Sequence, residues 1–207
     1  MAPRRSQSIS RLPIAGLREQ LAQEAARLMI ESGIEDFRAA KRKAAERFGV
    51  HSAGALPSNA QIQASLEERL RIFEPDAHDH RLAQLRRLAV EVMEYLAPFQ
   101  PRLAGSVLTG SATINSPIEL HVFTDSPELV AAMLEKRGIG ARDTQRRYRF
   151  GGQRTADVPG FSFARAGEVI QIMTFPENGA REAPLSPIDQ RPMRRAGRAE
   201  VLALLEV

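Results

Sequence analysis

Between residues 103 and 125 the chain reads LAGSVLTGSATINSPIELHVFTD, a stretch with few residues that could do chemistry. Gly105-Ser106 and Gly110 bracket a short run, and Ser106, Thr109 and Ser111 add hydroxyls. Backbone N–H groups at such a glycine turn, where it opens a helix, can take up phosphate oxygens. A glycine there can equally serve a tight turn that needs close backbone packing. Further on, Glu119 and His121 flank Leu120 in an apolar run. Strand side chains alternate, so Pro117, Glu119 and His121 share one face while Ile118, Leu120 and Val122 take the other. A carboxylate and an imidazole side by side on a strand can hold one ion or simply hydrogen-bond to each other.

The order of these parts resembles the nucleotidyltransferase superfamily. There a Gly-Ser turn follows the first strand, continues here through Val107-Leu108-Thr109 to Gly110, and precedes two acidic positions one apart on the next strand. The resemblance implies an α+β fold, a nucleotidyltransferase-like mixed β-sheet with flanking helices. It implies a nucleotide triphosphate held at Gly105, Ser106, Thr109, Gly110 and Ser111. It also implies two Mg²⁺ ions roughly 3.5–4 Å apart, held by three carboxylates for in-line transfer.

Placed on this chain, the acidic positions fall on Pro117, Glu119 and Gln171. Glu119 is then the candidate catalytic residue and metal ligand, with His121 beside it. Proline cannot ligate a metal, an amide brings no charge, and one carboxylate cannot balance two divalent cations. Asp125, Asp157 or Glu168 would have to help. The expectation is a degenerate metal site in a non-catalytic or regulatory protein, with no certain cofactor, that binds a nucleotide, another phosphorylated ligand or a partner protein. One alternative is an active Mg²⁺-dependent enzyme transferring a nucleoside monophosphate. Another is a helical module that binds protein or nucleic acid.

The elements that must position these residues follow from periodicity. Residues 1–12 form a basic tail expected to be disordered, residues 13–98 a helical region, and residues 99–207 the nucleotidyltransferase-like domain with a C-terminal helix. Apolar residues recur at helical spacing over 13–31, 35–48, 58–73 and 79–97, and Ser58 with Gln61 forms a capping box. Each helix has one apolar face that needs a partner: another helix, the sheet, or a second copy in a homodimer. Ser126-Pro127 starts a helix that Gly138 stops. Strands are predicted over 141–150, 161–165 and 168–175, with turns at Gly151-Gly152 and Ala166-Gly167 and a helix over 193–205. His51, His78 and His80 fall in predicted loops.

Composition narrows the classes. With no Cys, disulfides and thiolate metal sites are excluded. No apolar run approaches the roughly 18 residues that span a bilayer, so a cytoplasmic bacterial protein without membrane contact is expected. The net charge of +4 is mild. Nucleic-acid binding would therefore rest on local clusters at Arg4-Arg5, Arg146–Arg149 and Arg191–Arg198.

Overall fold

The structure, a computed structural model, describes residues 14–72 and 75–206; the basic tail expected over residues 1–12 lies outside them. The helical periodicity of the first half becomes α1 (Ile14–Glu31), α2 (Phe37–Phe48), α3 (Asn59–Ile72) and α4 (Pro75–Tyr95). Local chemistry sets their ends. Asp36 Oδ1 accepts from the Ala39 N–H at 2.6 Å to cap α2, and Gly49 closes it at φ 63°. Ser58 and Gln61 exchange side-chain and backbone hydrogen bonds at 3.1 and 2.9 Å, the reciprocal capping box.

α4 starts earlier than the spacing predicts. Pro75 is its first residue, where a missing N–H costs nothing. His78 and His80 therefore stand on a helix and not in a loop.

The second half builds β1 (Arg102–Ala104), α5 (Gly105–Thr109), β2 (Ile118–Phe123), α6 (Pro127–Lys136), β3 (Arg142–Arg149), β4 (Thr155–Arg165), β5 (Glu168–Phe175) and α7 (Arg198–Ala203). The strands form one mixed sheet in the order β1-β2-β5-β4-β3, in which β2 and β5 run parallel and the other neighbours antiparallel. Among the described residues the architecture is thus α+β, and no helix is long and apolar enough to cross a membrane.

The alternation read in β2 divides the core. Ile118, Leu120 and Val122, with Ile170, Ile172, Phe161 and Phe163, face α4, α5, α6 and α7. The opposite face carries Phe123, Tyr148, Val158, Met173 and Phe175. The apolar faces of α1, α2 and α3 pack on one another as a separate cluster. α4 belongs to the sheet's core, although it lies within the predicted helical region.

Two expectations, one for a strand and one for a helix, change. β4 runs on from Phe161 back through Pro159-Gly160 to Thr155, a pair that reads as a strand stop because it lacks a donor and a side chain. Gly160 is what lets β4 and β5 approach. A Cβ there would sit 2.2 Å from the Ile172 carbonyl oxygen and 2.9 Å from Met173 Sδ. Gly160→Ala is expected to lower stability by about 2 kcal/mol, seen as a fall in the urea midpoint; an unmoved midpoint would mean that β5 yields freely there. The final helix is only Arg198–Ala203, because Gly197 is extended and Ala196 bridges to Leu103 on β1.

Candidate functional site

β2 brings Glu119 and His121 onto the sheet face away from the core helices, both buried, at 6% and 0% exposure. The turn between β1 and α5 lies directly over them. Gly105 has φ 71°, and a Cβ on it would meet Glu119 Oε2 at 3.2 Å. The positive φ favours glycine here, and any side chain would press on the Glu119 carboxylate.

α4 braces the far end of the turn. His78 Nε2–H donates to the Gly110 carbonyl at 2.9 Å, and Arg86 reaches the carbonyls of Val107 and Leu108 at 3.2 and 3.4 Å. Arg81 grips both oxygens of Glu168 at 3.0 Å and the Ile114 carbonyl at 2.9 Å, fixing the loop that leads to Pro117.

Glu119 is hydrogen-bonded from within the protein on both oxygens. Oε1 accepts from His121 Nε2–H and from the Tyr148 hydroxyl, each at 2.9 Å. Oε2 accepts from Arg146 Nη1–H at 2.8 Å. Arg146 and Tyr148 come from β3, which is separated from β2 by β5 and β4. Flat, those three steps would span about 14 Å. The contact therefore requires a strongly coiled sheet whose far edge folds back over β2.

The tautomer of His121 follows from its other neighbour. Arg195 Nε–H donates to His121 Nδ1 at 3.0 Å, so Nδ1 is the acceptor and the proton sits on Nε2, aimed at Glu119. Arg195 is itself held by the Gly179 carbonyl at 2.8 Å and lies over the rings of Phe175 and Phe123, at 4.8 and 5.2 Å from their centroids.

These contacts assign the charges. Burial pushes the Glu119 carboxyl up, but the His121 hydrogen bond and the Arg146 charge pull it further down, to about 2. Burial drives His121 below its ordinary value, and the charges of Arg195 and Arg146 push the same way. Burial and the Glu119 charge raise Tyr148 far above the phenol range. Burial lowers Arg195 to about 10. At neutral pH the site is an ionised carboxylate, a neutral imidazole, a neutral phenol and two guanidinium ions.

Beside this network opens a cleft of about 720 Å³ between the sheet face and the helices α1, α2 and α3. The sequence-predicted residues converge on it. Gly105, Ser106, Thr109, Ser111, Pro117, Glu119 and Gln171 all line it, and Gln171 is the register partner of Glu119 on β5. Thr109 and Ser111 hydroxyls lie 3.1 Å apart. Gly110 does not line the cleft; it ends α5 at φ 90°. Asp157 is bound to Arg147 at 2.7 Å and Glu168 to Arg81, so neither joins Glu119. Asp125 Oδ1 accepts from the Glu177 N–H at 3.1 Å.

The cleft has a basic rim. Arg146 and Arg147 are committed to Glu119 and Asp157, whereas Arg149 and Arg194 carry no ion pair among the described residues. Periodicity missed Tyr148, Arg146 and Arg195 as members of the site. The first two share a strand face at i, i+2, a usable signal; Arg195, in a Pro-rich segment, gives none.

No protein-family model and no curated protein matches the chain. Among solved structures it is similar to a chain described as the structure of the GLD-2/RNP-8 complex, at 15% identity and a TM-score of 0.32. The similarity covers 57% of this chain and 40% of that one, so this chain spans well under half the length of that neighbour. A likeness this slight carries no argument about activity.

Proposed function

We propose that the cleft binds a phosphorylated ligand of the nucleotide class without a metal ion, and that the protein is a non-catalytic or regulatory version of a nucleotidyltransferase-like domain. One observation carries this reading: the only carboxylate at the three acidic positions already accepts hydrogen bonds from Arg146, Tyr148 and His121. A divalent cation prefers several anionic oxygens. The neighbouring positions offer Pro117 and the neutral Gln171, and both ring nitrogens of His121 are engaged. The donor set does not fit Mg²⁺.

Other features suit an anion. The cleft's volume lies within the range of small-molecule sites, and Arg149 and Arg194, which make no ion pair among the described residues, supply positive charge for phosphate on a lining that also carries Glu35, Glu67 and Asp189. Ser106, Thr109 and Ser111 offer hydroxyl groups. Ile34, Phe37 and Leu66 from the helical cluster form an apolar wall suited to a base. In this reading the helical region closes the cleft.

The test is calorimetric titration of the full chain with ATP, in EDTA and in Mg²⁺. Binding is expected to persist in EDTA and to weaken at least about tenfold in Arg149→Ala/Arg194→Ala. Transfer of label from a nucleoside triphosphate that needs Mg²⁺ and disappears in Glu119→Gln would overturn the proposal in favour of an active enzyme.

A further inference from the structure

The geometry points to a second anion site, a trench formed by α2 and the loop after it, shaped for the phosphate backbone of a nucleic acid. In its twelve residues α2 carries Arg38, Lys41, Arg42, Lys43 and Arg47 against one acid, Glu46. Arg47 pairs with Glu24 at 2.5 Å, and Arg42 lies 3.8 Å from Glu46. Arg38, Lys41 and Lys43 make no ion pair among the described residues.

Arg38, Lys41 and Arg42 occupy helical positions i, i+3 and i+4, so they share a face. The helical rise spreads them over about 6 Å. They form one wall of a groove of about 680 Å³, which Glu46 beside Arg42 also lines, with His51 and Ser52 on the other side. Ala45, Val50 and Leu56 floor it. The loop wall is held in place: Arg18 Nη2–H donates to the Gly54 carbonyl at 2.5 Å, and residues Ala53–Ala55 make a tight helical turn. The groove is thus formed without any ligand.

Lys41 sits half-buried in this groove, and burial lowers its ammonium below the ordinary value. A desolvated cation without a counter-ion is unfavourable, and an external anion relieves that cost. A nucleic-acid strand presents one phosphate for about every 3.4 Å of duplex axis, which suits a short row of cations on one helix. A planar anionic bilayer meets a recessed groove poorly. Contacts of this kind are to phosphates and read no sequence.

The proposal is tested by fluorescence anisotropy on the full chain with a labelled mixed-sequence oligonucleotide, single-stranded and duplex, over a salt series. Affinity is expected to fall steeply with salt. Arg38→Ala/Lys41→Ala/Arg42→Ala is expected to weaken binding at least about tenfold and to reduce the log–log salt slope by about 2 to 3. Alanine favours the helix, and an unchanged far-UV spectrum verifies the fold. Arg87→Ala on the exposed side of α4 should change neither quantity.

Parent affinity and slope in the triple variant would overturn the trench. So would no binding by the parent protein at low salt. Loss of oligonucleotide binding only in Arg149→Ala/Arg194→Ala would place the polyanion in the cleft instead. Binding of phosphatidylserine vesicles, but not oligonucleotide, that the triple variant loses would make the surface a membrane site. ATP titration of the same triple variant reports on the cleft separately, so the two proposals fail independently.

Discussion

Glu119→Leu is expected to lower folding stability by about 3 to 4 kcal/mol. Leucine is at least as bulky as the lost side chain, so a cavity is not the reason. The cost lies in what is left behind. Arg146 has a side chain 47% exposed and can turn to water. The Tyr148 hydroxyl and His121 Nε2–H cannot, since these residues are 5% and 0% exposed. A buried donor without an acceptor costs about 1–3 kcal/mol, and these two are left with only each other, at a long 3.4 Å. Glu119→Gln keeps one acceptor oxygen and is expected to lose about half as much. Urea unfolding of the three proteins checks this order. A Glu119→Leu protein as stable as its parent would mean that both donors find new acceptors, and the network would not be what holds the curled sheet edge.

Acid is expected to unfold the protein in two stages, and the sign follows from two groups. Below pH 6.5 the ring of His121 takes up a proton in the unfolded chain but resists it when buried, since its folded pKa lies below that ordinary value. The unfolded state then binds more protons, so stability falls as pH falls. Glu119 acts lower. Its carboxyl is held at about 2 in place of its ordinary 4.5, so its contribution is complete above pH 4.5 and vanishes as pH approaches 2. That contribution is about 3 kcal/mol. Thermal midpoints measured from neutral pH downward should decline gently below pH 6.5 and steeply below 4.5. In Glu119→Gln the steep part should flatten. A parent protein with a level midpoint down to pH 3 would show that neither group is held as the contacts imply.

Much of the scaffold was legible because it obeys local rules. The helical spacing of Leu21, Ala25 and Leu28, the Ser58–Gln61 capping box and the alternation through Ile118–Phe123 each depend on neighbours in sequence. The pairing of Gln171 with Glu119 is different: the family resemblance suggests it, but the register between two strands so far apart in sequence appears only in the fold. What misled were residues with two meanings. Pro75 stops one helix and also starts the next. Pro159 and Gly160 lie in β4 ahead of the predicted strand start at Phe161, and Gly160 allows a close crossing over Ile172.

The chemistry of the site was less legible, for a different reason. Glu119 stood out as the one acid in the expected place, but its state depends on Arg146, Tyr148 and Arg195. Those residues reach it only because the sheet coils and a distant segment returns to its edge. No pattern within a short window encodes that meeting.

The return of that segment bears on how the protein is made. Arg195, which sets the proton on His121, and Ala196, which pairs with Leu103, are translated after every strand of the sheet they complete. On the ribosome α1 to α6 and β1 to β5 emerge first and can collapse early. The carboxylate would then wait, poorly matched and its sheet edge open, until Arg195 and Ala196 leave the exit tunnel. Vectorial synthesis thus makes completion of this network a late checkpoint, and a nascent chain stalled before Arg195 should be the form most exposed to chaperones and proteases.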